Sequence, residues 1–204
     1  MHSITTVEQL EAIYAPAPVL ASTVKEAGYI TPAYRTLIEH SPFVALASIG
    51  PGGLDCSPRG DKGQVVRVLD EKTLALPDRR GNNRIDSLRN ILADSHVALL
   101  FLLPGSGTTM RVNGNARLTT DPELCQSFEM EGKLPRCVIV ITVKAAYFQC
   151  ARAIKRAGLW DSANHIRDGI LPSTGTILQE LSQGKIEAQT YDSEWPIRAK
   201  NSMW

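Results

Sequence analysis

The sequence SPRGDKGQVVRVLDEKTLALPDRRGNNR, residues 57–84, joins two basic, glycine-containing turns to two short runs that are typical of β-strands. The turns cover residues 57–63 and 78–84, and the predicted strands 64–69 and 73–76 lie between them. Such turns expose backbone N–H groups beside guanidinium groups, which together can hold a phosphate. The plain alternative is a pair of solvated loops whose arginines form surface ion pairs.

The rest of the chain predicts a mostly β fold. Further apolar, β-prone runs lie at 43–49, 97–103, 110–118 and 136–148, with predicted helices at 83–94, capped by Asn82 or Asn83, and after Asp121. Gly114 within its run indicates a β-bulge or a close approach of the backbone. Six short strands with isolated helices between them do not fit a doubly wound parallel sheet. We therefore predict an α+β fold, a six-stranded antiparallel split barrel with peripheral helices.

The pattern divides the chain into three parts. Residues 1–41 form an N-terminal helical arm with predicted helices at 5–14 and 31–40, the second capped by Thr31. Residues 42–150 form the barrel core. Residues 151–204 form a helical and loop extension that packs on the barrel or on a dimer partner, with a predicted helix at 173–183 capped by Ser173 or Thr174.

Composition limits the classes of function. The formal net charge of +1 over 204 residues argues against broad nucleic-acid or membrane-surface binding. Residues 59–89 nevertheless carry a net charge of +3, which indicates a local anion site. The four cysteines have no metal-ligand spacing, and Cys56 is expected to be a buried strand residue. With no secretory signal and no apolar run long enough to cross a bilayer, we expect a cytoplasmic protein without a metal site.

Several motifs in order resemble those of a known family. Residues 44–48 (VALAS) and the following glycines resemble an opening strand and turn, and 62–67 (KGQVVR) a basic strand. Residues 74–84 (LALPDRRGNNR) resemble a phosphate motif that leads into a helix, and 108–114 (TTMRVNG) a strand beside a flavin. Together the segment 43–118 resembles the core of the pyridoxamine 5′-phosphate oxidase-like family, the FMN-binding split barrels.

The resemblance implies an FMN cofactor and a homodimer with FMN at the subunit interface. It also implies a set of cofactor-binding residues: Arg59, Lys62, Pro77, Asp78, Arg79, Asn82, Asn83, Arg84, Thr109 and Trp160. Asp61 is expected to pair with Arg59 or to bind ribityl hydroxyls. Trp160 is expected either to stack near the flavin ring or to be a core or interface residue.

Departures from the family pattern limit the function that it implies. Asn82 and Asn83 stand where the family has serine and arginine, Thr109 stands where it has glutamine, and the C-terminal WPIR segment replaces the family's W-x-R-L-x-P. These differences favour an FMN-dependent oxidoreductase with an unassigned substrate and NAD(P)H as one candidate donor. The alternative is a non-catalytic flavin-, haem- or small-anion-binding or sensing protein on the same barrel. No side chain is identified as catalytic.

Overall fold

A computed structural model describes residues 3–14 and 17–204. Its centre is one antiparallel sheet with the strand order β2-β1-β5-β6-β7-β4-β3. The strands are β1 (Phe43–Gly50), β2 (Gly53–Gly60), β3 (Arg67–Val68), β4 (Thr73–Pro77), β5 (His96–Leu102), β6 (Thr109–Thr119) and β7 (Val138–Gln149). The predicted α+β split barrel is thus confirmed, with seven strands where six were expected.

Short helices surround the sheet, and the predicted caps explain where several of them begin. They are α1 (Val7–Tyr14), α2 (Leu20–Thr23), α3 (Pro32–Glu39), α4 (Asp86–Ala93), α5 (Pro122–Ser127), α6 (Arg152–Ala157), α7 (Thr174–Leu181) and α8 (Ala188–Ser202). The Thr31 and Ser173 hydroxyls and the Asp121 carboxylate accept hydrogen bonds from backbone N–H groups in the first turns of α3, α7 and α5. These three helix starts agree with the sequence.

The sheet curls so that its two ends approach each other. Its concave side holds the apolar core, which includes the fully buried Leu46, Phe101 and Ile141, and α3 closes it with Ile38. After β2 the chain stays close to the barrel, because Asp61 N–H donates to Pro42 O at 3.0 Å. The end of β2 therefore lies beside the end of β4, although no backbone ladder joins these strands.

A β-bulge lies at Gly114, as predicted. The register of β6 against β7 shifts between Asn113 and Gly114. A Cβ atom at Gly114 would lie 2.3 Å from the carbonyl oxygen of Thr142, so only glycine allows the two strands to approach this closely. The bulge bends the longest strand pair of the sheet and helps it to curl.

Three predictions about the stretch 57–84 were wrong. Much of the first basic turn belongs to β2, because residues 53–60 pair with β1 along their whole length. The predicted strand 64–69 is reduced to Arg67–Val68. The helix predicted from Asn83 begins at Asp86, since Asn83 and Ile85 have left-handed backbone conformations (φ 60° and 54°), and neither asparagine caps it.

The segment after the sheet ends in a helical hairpin of α7 and α8. The Gly175 N–H donates to Asp192 Oδ1 at 2.8 Å, and a Cβ atom at Gly175 would lie 2.4 Å from Ala188 O. The hairpin carries the chain back to the barrel, where Trp204 reaches Arg79. Among the helices of the described residues, none is long and apolar enough to span a bilayer.

Candidate functional site

A cleft of about 1020 Å³ opens where the two ends of the sheet approach each other. Its walls are residues 55–60 of β2, the loop between β4 and α4, the start of α4, and the segment before β7. Met203 and Trp204, which follow α8, complete the lining. Both basic turns contribute to these walls, so the fold brings together the two features that stood apart in the sequence.

Two crossed ion pairs join the ends of the sheet beneath this cleft. Arg59 Nη1 donates to Asp78 Oδ1 at 2.6 Å, and Arg79 Nη2 lies 2.6 Å from Asp61 Oδ2. Arg79 also donates to the Phe128 carbonyl oxygen at 2.7 Å. The Asp61 and Arg79 side chains are only 3% and 14% exposed, so this pair is buried. Each basic turn thus supplies both a cation and an anion to the other.

This pairing changes the roles expected of the arginines. Asp61 pairs with Arg79, so the expected Asp61–Arg59 pair was wrong. Arg84 pairs with Asp86 at 2.7 Å and is 75% exposed. Three of the cleft's six basic side chains are therefore neutralised by carboxylates. The other three, Arg80, Lys133 and Arg136, have no carboxylate within salt-bridge distance in the described part of the chain.

One side chain of the cleft lining, Arg59, has a buried N–H donor that finds no partner in the protein: its Nε–H has no hydrogen-bond acceptor among the described residues. A buried N–H of a charged group without an acceptor costs about 1–3 kcal/mol or more, so such a group calls for an acceptor. Because this nitrogen is closed off from solvent even in the open cleft, a ligand in the cleft does not reach it unless the Arg59 side chain moves.

The loop between β4 and α4 is held in an unusual conformation. Ile85 is a β-branched residue with φ of 54°, which costs on the order of 1–3 kcal/mol. The loop is fixed on both sides: Asn82 Oδ1 accepts from Arg84 N–H at 3.1 Å, and Asn83 Oδ1 accepts from Arg136 Nη1 at 3.2 Å. The second contact ties the loop to the segment before β7. Arg80 and Arg136 are therefore held at the same opening.

Two cysteines line the cleft in contrasting environments. Cys56 lies on β2 and is exposed, which corrects the expectation that it is buried. Burial and, next in size, the nearby Asp78 carboxylate raise the pKa of the Cys137 thiol to about 11. Cys137 is therefore a neutral thiol throughout the physiological pH range and is no thiolate nucleophile.

The structure places seven of the ten predicted cofactor-binding residues in the cleft: Arg59, Pro77, Asp78, Arg79, Asn82, Asn83 and Arg84. The other three lie elsewhere. Lys62 is exposed beside the cleft, Thr109 is buried at the start of β6, and Trp160 Nε1 donates to Ser106 O at 2.7 Å.

The predicted set lacks the three cations of the lining that have no carboxylate partner among the described residues, Arg80, Lys133 and Arg136, and it lacks Trp204. A basic, proline-containing turn (residues 133–136) directly before the longest apolar run was the available signal for two of them. Nothing in the local sequence indicates that Trp204 reaches the cleft.

The buried ion pair predicts a large difference between two similar substitutions. Asp61→Asn leaves the Arg79 charge buried without its carboxylate and is expected to lower the free energy of unfolding by about 3 kcal/mol. Asp86→Asn breaks the exposed pair with Arg84 and is expected to change it by less than about 0.5 kcal/mol. Urea unfolding measures both. Equal effects of the two variants would contradict a structural role for the Asp61–Arg79 pair.

Comparison with solved structures finds similar folds at low sequence identity. HupZ of Group A Streptococcus is 19% identical, with 56% of this chain and 89% of that chain covered and a TM-score of 0.44. General stress protein 26 of Bacillus anthracis is 14% identical, with coverages of 55% and 88% and a TM-score of 0.44. A Clostridium acetobutylicum protein related to general stress protein 26, of the pyridoxinephosphate oxidase family, is 12% identical, with coverages of 56% and 84% and a TM-score of 0.43.

A family model identifies the chain more directly. No curated protein is significantly similar to the sequence. The model described as pyridoxamine 5′-phosphate oxidase, however, matches residues 30–150, which are more than half of the 204 residues. The matched segment begins just before α3 and extends through β7, so it contains the whole sheet and most of the walls of the cleft. The chain belongs to the pyridoxamine 5′-phosphate oxidase family.

Proposed function

We propose that the protein binds FMN in the cleft and is an FMN-dependent oxidoreductase with an unassigned substrate. The observation that carries the proposal is a set of three exposed cations, Arg80, Lys133 and Arg136, which line the cleft without a carboxylate partner in the described part of the chain. A phosphate with a charge near −2 and a polar chain would supply the missing acceptors.

The donor set and the size of the cleft fit FMN. The volume of about 1020 Å³ reaches the upper end of the roughly 300–1,000 Å³ that small-molecule sites occupy. Arg80, Arg136 and Lys133 would hold the phosphate. Bound FMN would supply the hydride or electron transfer, while the protein would bind and orient it.

Removing the unpaired cations is expected to weaken FMN binding selectively. Arg136→Ala and Arg80→Ala should each raise the FMN dissociation constant at least about tenfold, because a hydrogen bond to a charged group contributes roughly 1.5–3 kcal/mol. Riboflavin, which lacks the phosphate, should lose no affinity. Arg117→Ala is the matched control, because Arg117 is exposed on β6 and outside the cleft. Fluorescence titration measures the affinities of both flavins. Failure of the wild-type protein to bind FMN at micromolar concentration would refute the proposal.

The proposed homodimer would use the convex face of the sheet beside the cleft. One row on this face crosses five strands: Pro58, Ala45, Leu100, Arg111 and Tyr147 are successive register partners. Leu100 is 39% exposed, and the Arg111 guanidinium stacks 4.9 Å from the centroid of the Tyr147 ring. The exposed Pro58 and Leu100, together with the stacked Arg111–Tyr147 pair, are the kind of groups that a partner surface could cover. Since Pro58 also lines the cleft, a second copy seated here would lie next to the bound cofactor.

A charge in this row is expected to separate the subunits. Leu100→Glu places a carboxylate in the proposed interface and should convert the dimer to a monomer, whereas Leu92→Glu on the solvent side of α4 should not. Size-exclusion chromatography with light scattering gives the masses. A monomeric wild-type protein would rule out the homodimer.

The remaining alternative is a protein that holds flavin without catalysis. It is favoured by the C-terminal WPIR segment, which departs from the family's W-x-R-L-x-P. Anaerobic mixing of the FMN-loaded protein with NADH or NADPH separates the two candidates. For an oxidoreductase we expect the flavin absorbance near 450 nm (roughly the ordinary position for oxidised flavin) to bleach under these conditions. Retention of the oxidised spectrum with both nucleotides would favour the binding protein.

A further inference from the structure

One aromatic side chain of the cleft comes from outside the part of the chain that matches the family model. Trp204 follows α8, and its indole lines the cleft together with Met203. The guanidinium of Arg79 lies 5.4 Å from the centroid of the indole ring, within the range of a cation–π contact. The indole is therefore anchored to one of the two basic turns.

Arg79 is a fixed partner for this contact. Its edge is used by hydrogen bonds, since Nε donates to Asp61 Oδ2 at 2.8 Å and Nη1 to the Phe128 carbonyl oxygen at 2.7 Å. The planar face of the guanidinium remains for the contact with the indole. Because Arg79 is immobilised by two groups and mostly buried, the ring that contacts it is held in place before any ligand arrives.

We propose that the Trp204 indole is the surface of the cleft on which the planar ring of the bound ligand stacks. The inference rests on the proposed FMN function, and it makes Trp204 the residue that recognises the flavin ring. The cleft has its volume of about 1020 Å³ with Trp204 in place, so the indole forms one wall of the site and does not fill it. Aromatic rings stack with an offset against such a wall, while the phosphate lies at the cations of the mouth. Trp204 thereby selects a flat aromatic ligand over a simple phosphate.

The other two tryptophans provide an internal comparison. Trp160 donates its Nε1 proton to Ser106 O, and Trp195 lies on α8 with its ring centroid 5.9 Å from the Arg198 guanidinium. Neither ring lines the cleft. The sequence suggests Trp160 as the residue that stacks near the flavin ring, whereas the proposal names Trp204. Substitution of each residue therefore distinguishes the two.

The test compares FMN with inorganic phosphate on the full-length protein. Trp204→Ala should weaken FMN binding roughly two- to tenfold, as expected for the loss of one aromatic stacking pair, and should leave competition by inorganic phosphate unchanged. Trp204→Phe retains a ring and should keep most of the affinity. Trp195→Ala is the matched control and should bind FMN as the wild type does.

A spectroscopic measurement separates contact with the ring from an indirect structural effect. In three proteins that each keep one of the three tryptophans, with the other two changed to phenylalanine, FMN should quench the emission of Trp204 more strongly than that of Trp160 or Trp195, and inorganic phosphate should quench none of them. Any one of three results would overturn the inference: unchanged FMN affinity in Trp204→Ala, an unquenched Trp204, or a loss of affinity in Trp160→Ala alone. If the wild type binds no FMN, the proposed function fails and this inference fails with it, whereas FMN binding that ignores Trp204 refutes the inference alone.

Discussion

The crossed ion pairs Arg59–Asp78 and Asp61–Arg79 are the contact on which the arrangement of the site depends. They join the two ends of an open sheet that no backbone ladder connects. Removing one member of such a buried pair leaves an uncompensated charge, while an isolated exposed pair contributes little. The pairs therefore fix the separation between β2 and the loop after β4, and with it the floor of the cleft.

This constraint also decides which cations are available to a ligand. The arginines that look most like phosphate ligands in the sequence are already bound to carboxylates, and one of them supports an indole ring. The charge available for an anion is contributed by Arg80, Lys133 and Arg136 at the mouth. A site built in this way has a rigid neutral floor and a positive rim, which suits a ligand with a planar body and one terminal phosphate.

Sequence reasoning succeeded where the signal was local. The caps at Thr31 and Ser173, the bulge at Gly114 and the apolar strand runs all follow from one residue and its near neighbours. It failed at β2, because a strand with Pro58 and alternating polar residues looks like a loop until its partner β1 is known. The start of α4 was also misplaced, since the left-handed conformation of Ile85 is imposed by the contacts of the loop and opposes the preference of a β-branched residue.

The sequence alone determined the class of fold and the family resemblance, and it singled out the two basic turns that line the cleft, because strand periodicity, turn residues and motif spacing are properties of short segments. Only the tertiary structure decided how the charges pair and which cations stay unpaired. It also decided that Trp204 lines the cleft. These features depend on closure of the sheet and on the return of the chain through α8. Both bring together groups that are far apart in the sequence, and a charged side chain takes its role from the partner it meets there.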